Sequence, residues 1–483
     1  MSAENTALGN DSKYRRTLGI GSITLMVVAM AAPLSVVAGT VPMQFSLAGN
    51  VGAPVYFLAA GLILTVFSVG FTTMSKFVPN AGAFYSYVQA GLGKIPGMGT
   101  AFMAMISYFC LLLAVLSYFG GALGNVCETF FGFTPPWWIL ALGCWGLIAV
   151  LGYHNVDLSS KVLGVFLSLE ALSILTLDIA IVAQGGAEGL SAHAFAPTEF
   201  MAGAPGIGFM FAFFGFIGFE ATAVFRNEAK DPEKTIPRAT YLSVAVISIL
   251  YFISSWCIAQ GAGAGAVDEA TADPTMFVAN MAGSYVGVIL SDMIQVLLVT
   301  SLFACGLASH NVIARYLYNL ANVDALPKPL AAVHPKHSSP SVASLAVSVV
   351  TAAVIIASAI AGLDPIMQVY TWTSGTSTLG VLALEALTSV SVVTFFIRNR
   401  AAAAGFGSWK TIVAPILSAI GMVIVTGLVI SNFVILVGDF TMAIVMGALV
   451  PVFFTIGVAL AIWMKKEHPK EYVGLDRLVA IPA

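Results

Sequence analysis

Residues 205–239, PGIGFMFAFFGFIGFEATAVFRNEAKDPEKTIPRA, begin as an apolar run long enough to cross a bilayer and end in a charged stretch. Gly215 and Gly218 interrupt the run where the hydrocarbon is expected, and Glu220 follows them. Because glycine lacks the Cβ atom that confines other residues to helical angles, the helix can unwind here and release backbone groups. Released backbone groups are tolerated in a membrane only inside protein or beside a wet cavity. The pattern therefore predicts a binding site at a break in this helix.

The composition places the whole chain in a membrane. Of 483 residues, 59% are apolar and 9% charged, and the mean hydropathy is +0.94, whereas roughly a quarter of the residues of soluble proteins are charged. Since each crossing needs about 20 apolar residues, the sequence predicts an all-α integral membrane protein with twelve transmembrane helices. The predicted spans are 18–46, 52–74, 97–122, 136–152, 160–183, 205–225, 239–260, 284–313, 340–361, 366–397, 411–436 and 440–464.

The basic residues are sorted between alternate loops. If the N-terminal tail, residues 1–17, lies inside, all 20 Lys and Arg residues fall on the cytoplasmic side, and the opposite loops carry only acids. Because Lys and Arg collect in cytoplasmic loops, the sorting supports twelve spans in the cell membrane with both termini in the cytoplasm. We expect a lipid environment and no nucleic-acid partner. The five cysteines are scattered without a CxxC pair, so we expect no disulfide framework, metal site or cofactor.

A second interrupted span lies at the N-terminus. Residues 19–43, GIGSITLMVVAMAAPLSVVAGTVPM, contain Pro33, which removes a backbone donor and predicts a break between residues 32 and 39. A bend without function is the alternative for a single proline. Two interrupted spans, five helices apart, are typical of inverted-repeat transporters with a site near the bilayer midplane.

The interrupted spans define the predicted domains. We predict a ten-helix transport core at residues 18–397, divided into repeats 18–184 and 205–397. Two further helices (411–464) and a cytoplasmic tail (465–483) follow, and the last two helices offer a face for scaffolding or for a homodimer.

Two acids within predicted spans are candidates for coupling. Glu170 lies in the fifth span and Glu220 in the sixth. An acid in a transmembrane segment costs roughly 2.5–3.5 kcal/mol on insertion scales and is expected to face the bundle interior with a partner. We predict that both acids take part in coupling transport to an ion, and the alternative of a purely structural acid remains open.

Three segments resemble the amino acid/polyamine/organocation (APC) permease family. They are residues 79–93, PNAGAFYSYVQAGLG, residues 211–239, FAFFGFIGFEATAVFRNEAKDPEKTIPRA, and residues 311–340, NVIARYLYNLANVDALPKPLAAVHPKHSSP. Together with twelve spans, the resemblance covers nearly the whole chain. It implies a five-plus-five inverted repeat of the leucine-transporter type with two extra helices, and secondary transport across the cytoplasmic membrane.

The resemblance also implies a substrate site. In the family, the substrate carboxylate meets amides at the first-helix break and the amino group meets carbonyls at the sixth. The matching residues here are Ser35, Val36, Val37 and Gly39 in the first helix, and Phe214, Gly215, Phe216, Ile217 and Gly218 in the sixth. Ser35, Val36 and Val37 replace glycines common in the family, and Glu170 aligns where several relatives have a lysine. Both departures favour organic amines over ordinary amino acids.

The expected function is the import of an amino acid or a related organic amine by alternating access, with the proton as the coupling ion and sodium as an alternative. A polyamine or ethanolamine-type permease and an amino acid exchanger remain open. A channel is less consistent with the sequence because no filter-like loop is present. An enzyme would require a clustered catalytic set, which the sparse His and Cys residues do not provide.

Overall fold

The computed structural model describes residues 18–78, 84–154, 160–337 and 339–478, and every long element among them is a helix. The long helices are numbered α1 to α12. They are α1 Ile20–Ala48, α2 Ala53–Met74, α3 Lys94–Phe131, α4 Trp137–Tyr153, α5 Ser160–Gln184, α6 Pro205–Ala223, α7 Pro232–Ala262, α8 Val288–Asn322, α9 Ser341–Ile360, α10 Pro365–Arg398, α11 Trp409–Val437 and α12 Phe440–Glu467. The predicted all-α integral membrane fold is confirmed.

Within the described ranges, eleven of these helices are long and apolar enough to cross a membrane, and α4, with 17 residues, is shorter. Its length of about 25 Å nevertheless matches the depth of α9. The Trp137 indole at the start of α4 donates to the Leu363 carbonyl just after α9, at 3.2 Å. The Ser339 hydroxyl just before α9 donates to the Tyr153 carbonyl at the end of α4. Both ends of α4 and α9 therefore coincide, which supports a crossing by α4, and the count of twelve stays a prediction.

The two halves of the core have the same order of elements. A helix broken near its middle (α1, α6) is followed by a long helix (α2, α7), short helices, and another long helix (α3, α8). The short elements are Phe84–Leu92 in the first half, and Ala266–Ala272 with Phe277–Tyr285 in the second. This order agrees with the predicted repeats at 18–184 and 205–397, whose boundaries remain predictions.

The segment between α2 and α3 contains a short buried helix. Residues 79–83 lie outside the described residues, but Phe84–Leu92 is a helix packed against α3 and α10. Phe84, Tyr85 and Tyr87 are each at most 1% exposed. The aromatic side chains of this helix therefore point into protein and not to the surface.

The segments predicted to be cytoplasmic meet at one end of the bundle. The Lys230 amide, between α6 and α7, donates to the Leu18 carbonyl at 3.0 Å. The Lys94 ammonium at the start of α3 forms an ion pair of 2.8 Å with Asp476 in the C-terminal segment. These contacts place Leu18 and Asp476, near the two ends of the described residues, beside segments that carry basic residues.

Burial places α3 at the centre and α12 at the edge. The most apolar stretch of α3 is 89% buried, against 17% for α12. Helices in a membrane approach closely through small residues, and the α3–α10 contact follows this rule, because Gly380 lies directly against the Ser107 side chain. The breaks of α1 and α6 both face α3, so the candidate site lies in the most enclosed part of the molecule.

Candidate substrate site

The break in α1 follows from Pro33. The residue before a proline is disfavoured in the right-handed helical region, and Ala32 takes a left-handed conformation with φ of 48°. A left-handed alanine costs roughly 1–2 kcal/mol, so surrounding contacts must hold it in place. Beyond the break, residues Ser35–Thr40 form a wider π-helical turn before regular helix resumes at Val41. This position agrees with the predicted break between residues 32 and 39.

The break in α6 begins later than predicted. Regular α-helix continues through Phe216. Ile217, with ψ of 127°, and Gly218, with φ of 114°, leave it, and a 3-10 helix, Phe219–Glu228, follows. Glycine is required at position 218 because residues with a Cβ atom rarely adopt that φ. Gly215 is still helical, contrary to the expectation that it unwinds. Its role is close packing, since a Cβ atom placed there would lie 3.0 Å from Cγ1 of Val36.

At each break, a carboxylate accepts a hydrogen bond from the backbone amide that the helix releases. The Leu34 N–H in α1 donates to Oε2 of Glu170 at 3.3 Å, and the Gly218 N–H in α6 donates to Oε2 of Glu220 at 2.9 Å. Tyr108 in α3 donates its hydroxyl to the other oxygen of Glu220. Both acids are therefore buried with backbone partners, as predicted for acids within the membrane.

A cavity of about 40 Å³ lies between the two breaks. Four of the nine predicted substrate-binding residues line it: Ser35, Val36, Phe214 and Ile217. Five do not: Val37, Gly39, Gly215, Phe216 and Gly218. Because one water needs about 10–15 Å³ of such space, the cavity admits a few waters and must widen to take an amino acid or an amine.

The residues that do not line the cavity shape its surroundings. Gly39 lies beneath the Tyr118 ring, and a Cβ atom there would come within 3.1 Å of that ring. Phe216 points away and packs edge-on against Tyr251, with ring centroids 5.8 Å apart. Val37 is buried at 1% exposure. These residues pack around the cavity and do not line it. The resemblance alone did not show which of the matched residues line the cavity and which only support it.

Sequence reasoning missed an aromatic wall formed by α3 and α10. The rings of Tyr118 and Tyr370 both line the cavity and meet edge-on, with centroids 4.9 Å apart. The hydroxyls of Tyr370 and Thr40 lie 3.1 Å apart. A signal was available, because a tyrosine inside an apolar span needs a partner for its hydroxyl. Without the fold, however, nothing indicated which helix the Tyr118 hydroxyl faces.

Glu170 does not face the central cavity. Besides the Leu34 amide, its Oε2 atom accepts from the Ser301 hydroxyl of α8 at 3.0 Å. Glu170 lines a second cavity of about 180 Å³, between α1, α5 and α8, together with Phe166 and Thr300. The acid therefore links the first-helix break to α5 and α8 without lining the central cavity.

The amino acid permease family model matches residues 23–472. This chain belongs to the amino acid permease family. The permease is similar to the branched-chain amino acid permease BcaP of Bacillus subtilis, with 25% identity over 70% of this chain and 74% of the relative. It is similar to the low-affinity putrescine importer PlaP of Escherichia coli, with 22% identity over 68% and 72% of the two chains. The serine/threonine exchanger SteT of B. subtilis is 24% identical over 59% and 64%. The permease is thus a multi-pass membrane transporter of small molecules and not an enzyme.

The permease buries two further acids. Asp178 in α5 accepts from the Ser254 hydroxyl of α7 at 2.6 Å. Glu385 in α10 is 2% exposed, and its Oε2 atom has no hydrogen-bond partner among the described residues. Neither acid lines the central cavity. Asp178 provides an internal comparison for Glu170, since it is equally buried but its carboxylate is hydrogen-bonded to α7 and not to a broken helix.

Proposed function

We propose that this permease is a secondary active importer of an amino acid or a related organic amine, driven by protons. The observation that carries the proposal is the enclosed cavity between two broken helices, with Glu170 bound to the backbone at one break. The names of the relatives support both substrate classes, because they include a branched-chain amino acid permease and a putrescine importer. A membrane location at the cell surface, with both termini cytoplasmic, belongs to the same proposal.

Alternating access follows from the breaks. In inverted-repeat transporters, a bundle containing the broken helices rocks against the rest around a fixed midplane site. Here α1 and α6 meet directly, since the Gly215 backbone lies against the Val36 side chain. This contact supports our proposal that the two broken helices move together. The contracted cavity of about 40 Å³ must widen on one side when a substrate enters.

Proton coupling is assigned to Glu170. As a carboxylate, Glu170 only accepts hydrogen bonds, and it accepts from the Leu34 amide and the Ser301 hydroxyl. A proton on the carboxyl converts one oxygen into a donor and weakens its hold on the two donors. The state of Glu170 is thereby linked to the geometry of the first-helix break and to its contact with α8. Sodium is the alternative coupling ion, and Thr300 and Ser301 offer two hydroxyl oxygens beside the acid.

The oligomeric state is a separate part of the proposal. The most apolar stretch of α12 is only 17% buried, and this helix exposes Phe440, Ile444 and Trp463. Such a face contacts lipid in a monomer and the second copy in the proposed homodimer. Chemical crosslinking in membranes distinguishes the two arrangements.

The test is uptake by the purified permease in liposomes. A thermal-shift screen of amino acids and amines first identifies ligands, since a ligand that binds only the folded state raises its apparent stability. Vesicles are then given an inward pH gradient, an inward sodium gradient, or internal unlabelled ligand. We expect accumulation with the pH gradient alone, abolished by a protonophore. Accumulation with sodium alone would reassign the ion, and uptake only against internal ligand would favour exchange, as in the serine/threonine exchanger relative. Absence of uptake in all three conditions would refute the proposal.

A further inference from the structure

The end of the described chain packs against the buried helix Phe84–Leu92. After α12, residues 469–478 form a short helix and a 3-10 turn, and we call them the C-terminal segment. Leu475 in this segment is 0% exposed, and its carbonyl accepts from the side-chain amide of Gln89 at 2.7 Å. The segment is therefore seated in the protein at Leu475 and does not simply trail from α12.

Lys94, the first residue of α3, holds the same segment. Its ammonium donates to the Tyr472 carbonyl at 3.2 Å and lies 5.0 Å from the centroid of the Tyr472 ring. Carbonyls near the end of a helix are favourable partners for a cation. The ion pair of Lys94 with Asp476 contributes less, because the Asp476 side chain is 66% exposed to water. The buried Leu475 therefore holds the segment most strongly, and Lys94 adds to it.

The helix Phe84–Leu92 lies between α2 and α8. The ring centroids of Tyr87 and of Phe71 in α2 are 5.0 Å apart, and those of Tyr85 and of Tyr316 in α8 are 5.5 Å apart. This short helix therefore links α2 to α8 at the end of the bundle that carries the C-terminal segment.

The helix α2 is in turn packed on the sixth-helix break. Its Phe67 ring meets edge-on the ring of Phe219, which follows Gly218, with centroids 5.9 Å apart. In the rocking motion proposed above, α2 therefore follows α6. Opening of the central cavity toward the C-terminal segment separates α2 from α8, so the helix Phe84–Leu92 must lose its contact with one of them.

The C-terminal segment bridges this short helix and α3. It accepts from Gln89 in the short helix and from Lys94 in α3. The two helices pack closely beneath it, since a Cβ atom at Gly97 of α3 would lie 2.6 Å from Cβ of Gln89. The segment therefore fixes the short helix on α3, and a helix fixed there cannot follow α2.

We propose that the C-terminal segment is a latch that keeps this end of the permease closed. While the segment is in place, the helix Phe84–Leu92 stays on α3 and blocks the separation of α2 from α8. With the segment released, the short helix is free to move with α2, and the central cavity opens on this side more often. The inference rests on the proposed alternating access and is independent of the substrate and of the coupling ion.

The test measures access to Cys305 from each face of the membrane. Cys305, in α8, is the one cysteine among the described residues that line the central cavity. A charged, membrane-impermeant methanethiosulfonate is applied to inside-out and to right-side-out membrane vesicles. Mass spectrometry of the peptides then gives the rate at which Cys305 is modified, and no substrate is needed.

Two substitutions release the segment to different extents. Leu475→Asp places a charge in the buried seat, and we expect it to raise the modification of Cys305 about tenfold or more. The rise should occur only from the face that carries the C-terminal segment. Lys94→Met should raise the same rate about threefold. Lys94→Arg should stay close to the wild-type rate, because arginine donates to the same partners.

Controls separate the latch from a loss of surface charge. Lys328→Met removes another ion pair made by a lysine, with Asp324 at 3.5 Å in the connector after α8, and should leave the rates unchanged. Amide hydrogen exchange of residues 469–478 shows in each variant whether the segment is released.

Three outcomes overturn the inference. A released segment with an unchanged rate would show that the segment is only a structural anchor, and an equal rise from both faces would indicate general loosening. A segment that stays in place in both variants would show that Leu475 and Lys94 do not hold it. If Leu475→Asp does not fold, Lys94→Met decides alone, and an unchanged rate in that variant overturns the inference. If the rates change as expected but the vesicles transport nothing, the latch stands and the proposed transport function falls.

Discussion

Two substitutions of Glu170 test its two roles separately. One role is to support the first-helix break, and the other is to exchange protons. One oxygen of Glu170 accepts from the Leu34 amide at 3.3 Å and from the Ser301 hydroxyl at 3.0 Å. Glutamine keeps a carbonyl oxygen of the same reach, so Glu170→Gln should change the free energy of unfolding by no more than about 1 kcal/mol. Alanine leaves both buried donors unsatisfied at about 1–3 kcal/mol each. Glu170→Ala should therefore be destabilised by roughly 2–6 kcal/mol.

Glu170→Gln should have a large effect on transport although its effect on stability is small. Glu170→Gln is stable but cannot gain or lose a proton, so uptake driven by a pH gradient should be abolished. Exchange of labelled for unlabelled ligand across the vesicle membrane should remain, because it needs movement of the broken helices and no net proton transfer. The assay is uptake by the same vesicle preparation at a series of external pH values, with thermal unfolding measured in parallel.

The matched control lies on the same helix. Asp178 is equally buried in α5 and accepts from the Ser254 hydroxyl at 2.6 Å, but it does not contact a break. Asp178→Asn should therefore retain pH-dependent uptake. Accumulation by Glu170→Gln under a pH gradient, at the wild-type level and with the wild-type pH dependence, would refute the coupling role. Loss of both activities in both variants would show that burial of an acid, and not its place at the break, is what matters.

Two further substitutions test the surroundings of the site, and a third tests the connector before α9. Gly215→Leu places side-chain atoms where Val36 already lies, so ligand affinity in the folded fraction should fall about tenfold or more while the yield of protein falls less. Tyr108→Phe removes one of the donors to Glu220 and should lower the free energy of unfolding by about 1–3 kcal/mol, as measured by thermal denaturation. In the connector before α9, desolvation lowers the pKa of His337, and two neighbouring imidazoles and a lysine lower it further. Because the undocked connector then binds more protons below about pH 6.5, the protection factors of its amides, which are corrected for the intrinsic pH dependence of exchange, should fall between about pH 7.5 and about pH 5.5, and His337→Gln should reduce this fall.

The sequence was most informative where a residue has few conformational choices. Pro33 disfavours the right-handed helical region for its predecessor, and the structure places the break at Ala32. Gly218 permits a φ of 114° that other residues rarely adopt. The cost of an acid in a membrane likewise predicted that Glu170 and Glu220 are enclosed with partners. In these cases local chemistry decides the result before the helices pack.

The sequence was least informative where the result depends on how helices pack. Tyr118 and Tyr370 are 252 positions apart, and only the α3–α10 contact brings their rings together at 4.9 Å. The role of Gly215 also depends on packing. A glycine in a membrane helix can unwind or can allow close approach, and only the position of Val36 shows that close approach is its role.

The two acids at the breaks differ in whether a cavity reaches them. We therefore expect them to have different roles. Each accepts the amide that its broken helix releases, so the charge on either one affects a hinge. Glu220 is 2% exposed and is enclosed by the Tyr108 hydroxyl, with no cavity among those described that reaches it. Glu170 instead lines a cavity of about 180 Å³ together with the hydroxyl residues Thr300 and Ser301. These three side chains give water polar partners in that cavity, and water there would carry protons to the carboxyl. We therefore expect Glu170 to exchange protons during transport and Glu220 to hold the sixth-helix break in one geometry throughout the cycle.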